Sequence, residues 1–159
     1  MSGTWHFYVD DYRFTNLIKR PDKIVNTQCN SAIEPNFSIF NQMPIPVGLF
    51  RIYQKRWIAR YWQQHGIRVI VDLNVAPKFR AYNLLGVPIG WGAYATRGYT
   101  DRLDQLEAEY NLAKTHASGN PLLFIVYGGG KLVKQYCAER AWLWFDEYSN
   151  TRRESNGKN

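Results

Sequence analysis

Five stretches of the chain place polar or glycine residues directly after short apolar runs. They are Asp10 and Asp11; Glu34, Asn36 and Ser38; Asp72 and Asn74; Thr96 and Arg97; and Tyr127 with Gly128, Gly129, Gly130 and Lys131. Carboxylates, amides, hydroxyls and a guanidinium can hold a phosphate, orient a sugar or bind a divalent ion when they converge. In open parallel α/β sheets and in barrels such residues do converge, because ligands sit at the carboxyl ends of the strands. The expected ligand set is therefore Asn36, Ser38, Asp72, Asn74, Thr96, Arg97, Gly128, Gly129, Gly130 and Lys131. Its expected occupant is a small phosphorylated ligand or nucleotide. The competing explanation is that Asn, Asp and Ser recur at strand ends simply as turn formers.

The triple glycine carries the same ambiguity. A helix N-terminus with Lys131 beside it suits an anion, while three glycines also satisfy the backbone needs of a sharp strand-to-helix turn. The turn is the preferred reading, because the loop matches no nucleotide fingerprint. A Walker A loop would need glycine at position 125 and Ser or Thr at 132, where Ile125 and Leu132 stand. His6, His65 and His116 are isolated, with no HxH or HExxH spacing, and no GxSxG elbow occurs. Cys29 and Cys137 form no CxxC pair and fit reduced thiols. No catalytic residue can be named, and neither a metal site nor a cofactor is expected.

The elements that must position these residues alternate. Strands are expected over His6–Val9, Ala32–Ile39, Arg68–Leu73, Val87–Ala95 and Leu122–Tyr127. Helices are expected over Phe14–Val25, Val47–His65, Lys78–Leu84 and Asp101–His116, with a last helical stretch from Lys131 towards Tyr148. The alternation predicts an α/β fold of about five mainly parallel strands, as a flavodoxin-like open sheet or a partial TIM-like barrel. With 159 residues and no repeat or linker, one domain over 1–150 is expected, followed by a polar, disordered tail at 151–159. The helix over Asp101–His116 has the clearest signals, with Thr100 expected as its cap and Leu103, Leu106 and Tyr110 on one face. It reads as structural.

The helix over Val47–His65 is more informative. Phe50, Tyr53, Trp57 and Tyr61 fall on one arc of about 80°, an aromatic stripe expected to be buried against the sheet. Arg51 and Lys55 point nearly opposite, and Arg56 with Arg60 forms a second basic pair at the flank. The net charge of +7 lies almost wholly in the first half, where 11 Lys and Arg face 5 Asp and Glu over residues 1–80. No acid occurs between Glu34 and Asp72. Such a one-signed region attracts polyanions, so Arg51, Lys55, Arg56, Arg60 and Arg68 are the expected phosphate contacts of a nucleic-acid surface.

The remaining composition narrows the class. Aromatic residues make up 16% of the chain, including six Trp and eleven Tyr, and must fill a core, a partner interface or a stacking surface. No run approaches the roughly 20 apolar residues that span a membrane, and the N-terminal stretch lacks the features of a signal peptide. A cytoplasmic protein is expected.

The segment "EPNFSIFNQMP", followed by "LFRIYQKRWIARYWQQHGIRVI", resembles a poorly characterised family of domains of unknown function encoded by bacteria, phages and plasmids. Its pattern joins an Asp-Phe-Ser strand and a Met-Pro turn to a Tyr-x-x-Arg-Trp-Ile-x-x-Tyr-Trp-Gln helix and a Gly-Ile-x-Val-Ile strand. Tyr53, Arg56, Trp57, Ile58, Tyr61, Trp62, Gln63, Gly66, Ile67, Val69 and Ile70 match it. The resemblance runs from about residue 32 to 130 and implies a mobile-element context and an α/β fold. Asn36 replaces the Asp of the first element, Arg51 an early helix Asn, and Val75 a Trp, so an activity resting on that Asp would be lost here. The expected function is an accessory protein that contacts nucleic acid through the basic helix, in replication or DNA processing. The alternatives are an enzyme or binder for a small phosphorylated ligand, and a structural protein whose aromatics serve a partner or homo-oligomer interface.

Overall fold

The computed structural model describes residues 3–147. Six strands form one sheet: β1 (Thr4–Trp5), β2 (Ser31–Ile33), β3 (Arg68–Asp72), β4 (Ala93–Arg97), β5 (Leu123–Tyr127) and β6 (Leu143–Phe145). They lie in the order of the chain, and every neighbouring pair is parallel. A doubly wound sheet reverses its strand order at a switch point, whereas sequential winding is how a barrel grows. The partial barrel is thus the form adopted, and the flavodoxin-like alternative falls away.

The sheet is curled. The rings of Tyr8, just after β1, and Tyr127, at the end of β5, stack with centroids 5.4 Å apart, and His6 lies 4.4 Å from Tyr127. In a flat sheet four strand spacings would separate them by about 19 Å. Their contact closes the concave side over Ile33, Ile70, Ala95 and Ile125, producing a filled half-barrel.

Four α-helices accompany the strands: α1 (Asp22–Val25), α2 (Ile45–Gln64), α3 (Leu103–Ala117) and α4 (Gly130–Glu139). On the convex side Ile58, Ala59 and Trp62 of α2 pack with Phe7, Phe14, Phe37 and Val69. Leu106 and Ala113 of α3 pack with Val71, Tyr94, Phe124 and Val126. Trp62 is fully buried, and its indole N–H donates to the Pro21 carbonyl at 3.0 Å, so its polar edge is satisfied inside the core.

Several expected boundaries move. The last helix stops at Glu139, and Ala141, at φ +57°, turns the chain into β6, whose Leu143 and Phe145 pair with Ile125 and Tyr127. A sixth strand thus stands where helix was expected. The second strand stops at Ile33 because Glu34 and Pro35 turn inward. Thr100 does not cap α3: Arg102 holds that position, and the Thr100 hydroxyl donates to the Gly129 carbonyl at 2.9 Å. The expected tail, 151–159, lies outside the described residues. Among the described residues no helix is long and apolar enough to cross a membrane.

Gly48 sets how closely α2 approaches the turn at Pro77–Phe79. A Cβ there would sit 2.2 Å from Cε1 of the fully buried Phe79. Alanine favours a helix over glycine by about 1 kcal/mol, but overpacking costs about 1–3 kcal/mol. Gly48→Ala is therefore expected to lose up to about 2 kcal/mol in urea unfolding; a gain would show that Phe79 moves aside freely.

Candidate functional site

A layer of buried polar groups lies beneath the carboxyl ends of β2, β3 and β4. Lys55 reaches from α2 to Asp72 at the end of β3, donating to its backbone carbonyl at 2.8 Å and to Oδ2 at 3.1 Å. The Tyr8 hydroxyl donates to Asp72 Oδ1 at 3.1 Å, as does the Asn74 backbone N–H at 3.2 Å. The Asp72 N–H in turn donates to Glu34 Oε2 at 3.1 Å, and Glu34 pairs with Arg56. Asn83 completes the cage with a 3.0 Å bond to the Asp72 carbonyl. Lys55 and Asp72 are each only 1% exposed. Burial pushes the lysine pKa down and the carboxyl pKa up, and the opposite charges pull both back towards an ion pair. Burial also raises the Tyr8 pKa well above its ordinary value, so Tyr8 acts as a donor.

Beside this layer, the Thr96 hydroxyl donates to Glu109 of α3 at 2.6 Å. Burial pushes the Glu109 pKa up to about 8, against the opposing pull of Thr96 and the charge of Arg80. The Arg80 Nε and one Nη are buried without a hydrogen-bond partner.

Above the layer, the strand ends open into a cleft of about 780 Å3. Of the expected ligand set, Asn36, Ser38, Asn74 and Arg97 line it together. Asn74 Nδ2 donates to Asn36 Oδ1 at 3.1 Å, and the Ser38 hydroxyl donates to Asp11 Oδ1 at 2.9 Å. Asp72 and Thr96 do not reach the cleft, because both are turned into the buried layer.

The glycine loop and Lys131 also lie outside the cleft lining. Gly128, Gly129 and Gly130 all have φ between +69° and +84°. A Cβ on Gly129 would stand 2.5 Å from Val133, and one on Gly128 would meet the Glu147 carboxylate at 2.8 Å. The loop is a sharp turn with a carboxylate against it: close packing accounts for Gly128 and Gly129, and positive φ alone for Gly130. The cleft also contains Tyr8, Arg13, Tyr99, Arg102 and Glu147, none of which the sequence patterns singled out. Arg102 was hidden in a segment that reads as helix, and Tyr8 in one that reads as strand.

The basic set divides as well. Lys55 is internal and therefore not an exposed phosphate contact. Arg56 is spent on Glu34 and on the carbonyls of Asn83 and Leu85. Arg51 bonds Gln54 at 3.2 Å and stacks on Phe37. Arg60 and Arg68 remain exposed and share a shallow hollow at the amino edge of the sheet with Gln63 and Trp91.

The aromatic stripe is not buried as expected. Phe50, Tyr53 and Trp57 are exposed by 57%, 61% and 42%. The physical reason lies on the opposite arc, where Gly48, Ile52, Lys55, Ile58, Ala59 and Trp62 face the core. Burial of Ile52, Ile58, Ala59 and Trp62, with Lys55 on the same arc paired to Asp72, leaves the aromatics outward. Phe50 stacks near Tyr53 and Trp57 near Tyr61, each pair at 6.3 Å, while Tyr61 lies 4.3 Å from His65. The result is a ladder of rings beside Arg60 on a helix that carries no acid.

The fold and site define a class: a parallel α/β half-barrel with a polar cleft at the carboxyl edge and an aromatic, basic helix on its outer surface. Residues 1–136 match the model of a domain of unknown function, DUF4417, and the chain belongs to that family. It is 32% identical over 131 residues to the Gene 1 protein of Mycobacterium phage L5, covering 79% of this chain and 57% of that protein. The Gene 1 protein of Mycobacterium phage D29 is 29% identical over 131 residues, covering 79% and 48%. The chain thus spans about half the length of these curated relatives. No solved structure matches it. The resemblance drawn from the helix motif is borne out, and the relatives place the family in phages.

Proposed function

We propose that this chain is a phage or mobile-element accessory protein that binds single-stranded nucleic acid along the outer face of α2. One observation carries the reading: Phe50, Tyr53 and Trp57 are solvent-facing on an acid-free helix with Arg60 beside them. Exposed rings in a row are the stacking platform that unpaired bases use, each worth about 1–3 kcal/mol. Arg60 and Arg68 contact phosphates, a role that positions the strand without reading its sequence. The original basic set shrinks to these two, with Arg51 at the margin. Rings replace Lys55 and Arg56 as the main source of affinity.

The test is fluorescence anisotropy with a labelled oligothymidylate at increasing salt. Trp57→Ala is expected to weaken binding by about 5- to 100-fold, the equivalent of one lost stack. Arg60→Ala should reduce the slope of log affinity against log salt by about 0.7. Arg60 is exposed and Trp57 is 42% exposed, so both variants should remain folded at the assay temperature, checked by circular dichroism. Absence of binding at low salt, or binding that both variants leave intact, would sink the proposal.

A further inference from the structure

We infer that the cleft at the carboxyl edge is a second, separate binding site, and that it takes a phosphate monoester on a polar body the size of a nucleoside. The inference does not rest on the role proposed for α2.

At about 780 Å3 the cleft is within the range of small-molecule sites, roughly 300–1,000 Å3. Three guanidinium groups enter it from separate elements: Arg13 after β1, Arg97 at the end of β4 and Arg102 ahead of α3. Arg97 gives one Nη to Glu147 at 3.1 Å, but its Nε is buried with no hydrogen-bond partner. That Nε is inaccessible, but the Arg97 and Arg102 side chains are 32% and 51% exposed where they line the cleft, and guanidinium groups suit phosphate oxygens. Arg97 and Arg102 both lie over the ring of Tyr99, at 5.6 and 5.1 Å, so two cations and an aromatic face form one wall.

The other wall differs in kind. The bond from Asn74 to Asn36 fixes both amides, and Asp72 holds Asn74 from below through its backbone N–H. Fixed amides recognise the donor and acceptor edge of a polar group such as a nucleobase.

Charge selects the size of the occupant. Asp10, Asp11 and Glu147 also line the cleft, and they balance its three arginines. Asp11 accepts from the Ser38 N–H and hydroxyl, and Glu147 bonds Arg97. A balanced lining disfavours a polyanion and suits a ligand with one phosphate and an uncharged polar body.

The experiment is thermal unfolding of the full chain with millimolar AMP, GMP, CMP or UMP, with the free nucleosides and inorganic phosphate as controls. At least one nucleotide is expected to raise the midpoint where its nucleoside and phosphate alone do not. Arg102→Ala, a change at an exposed side chain, and Arg97→Lys, which keeps the charge, should each weaken that nucleotide by about tenfold. Trp57→Ala should leave it unchanged, which separates this site from α2. No response to any of the four nucleotides overturns the inference. So does an equal response to inorganic phosphate, or a response that both arginine variants retain.

Discussion

Lys55→Ala is expected to lower the free energy of unfolding by about 3–5 kcal/mol, the usual cost of stripping one partner from a buried ion pair. The change leaves the Asp72 carboxylate 1% exposed with no cation against it. It also removes the 2.8 Å bond to the Asp72 carbonyl. Tyr8 and Asn74 still donate to Oδ1, but neutral donors cannot replace the ammonium charge. The double variant Lys55→Met with Asp72→Asn should recover much of the loss, since no charge is then stranded and the amide oxygen still accepts from Tyr8. Urea unfolding of the two variants checks this. A loss below about 1 kcal/mol for Lys55→Ala would mean that the lysine reaches solvent, as the sequence pattern alone suggested.

The second large effect is a dependence on pH. Glu109 has a pKa of about 8 in the folded chain against an ordinary 4.5, so the folded state holds a proton that the unfolded state releases between those values. Its contribution to stability is therefore complete below about pH 4.5 and declines as pH rises towards 8. At about 1.4 kcal/mol per unit, the decline over that interval amounts to a few kcal/mol, the pull of Arg80 being already contained in the value near 8. Glu109→Gln keeps an acceptor for Thr96 and removes the titration. The variant is expected to match the wild type at acidic pH and exceed it near pH 8. Burial lowers the pKa of His6 and His116, which acts in the opposite sense, so the difference between the two proteins isolates Glu109. Parallel stability profiles would show that Glu109 binds its proton no more tightly in the folded chain than in the unfolded one.

Much of the architecture was legible because its signals are local. The Val47–His65 periodicity, the Leu122–Tyr127 run and the alternation of strands with helices depend on residues close in sequence. The facing of α2 was not legible, since two arcs of that helix are apolar enough to pack. The packed arc carries Ile52, Ile58, Ala59 and Trp62 together with Lys55, whose partner Asp72 lies 17 residues away on β3. Strand-end reasoning found Asn36, Ser38, Asn74 and Arg97, but could not tell which end residues point up into the cleft. Asp72 and Thr96 point down for reasons supplied by α2 and α3. Tyr99, Arg102 and Glu147 enter the cleft from connections whose course only the tertiary fold decides.

The contact of Tyr8 with Tyr127 has a consequence for the order of events at the ribosome. His6 and Tyr8 leave the ribosome about 120 residues ahead of their ring partner. Until then the first strand has no far wall to lean on, and the apolar lining formed by Ile33, Ile70 and Ala95 stands uncovered on the nascent chain. Such a chain is exposed to chaperones and to premature self-association over that interval. Curling the sheet therefore makes covering of the concave side wait for β5, the fifth of the six strands.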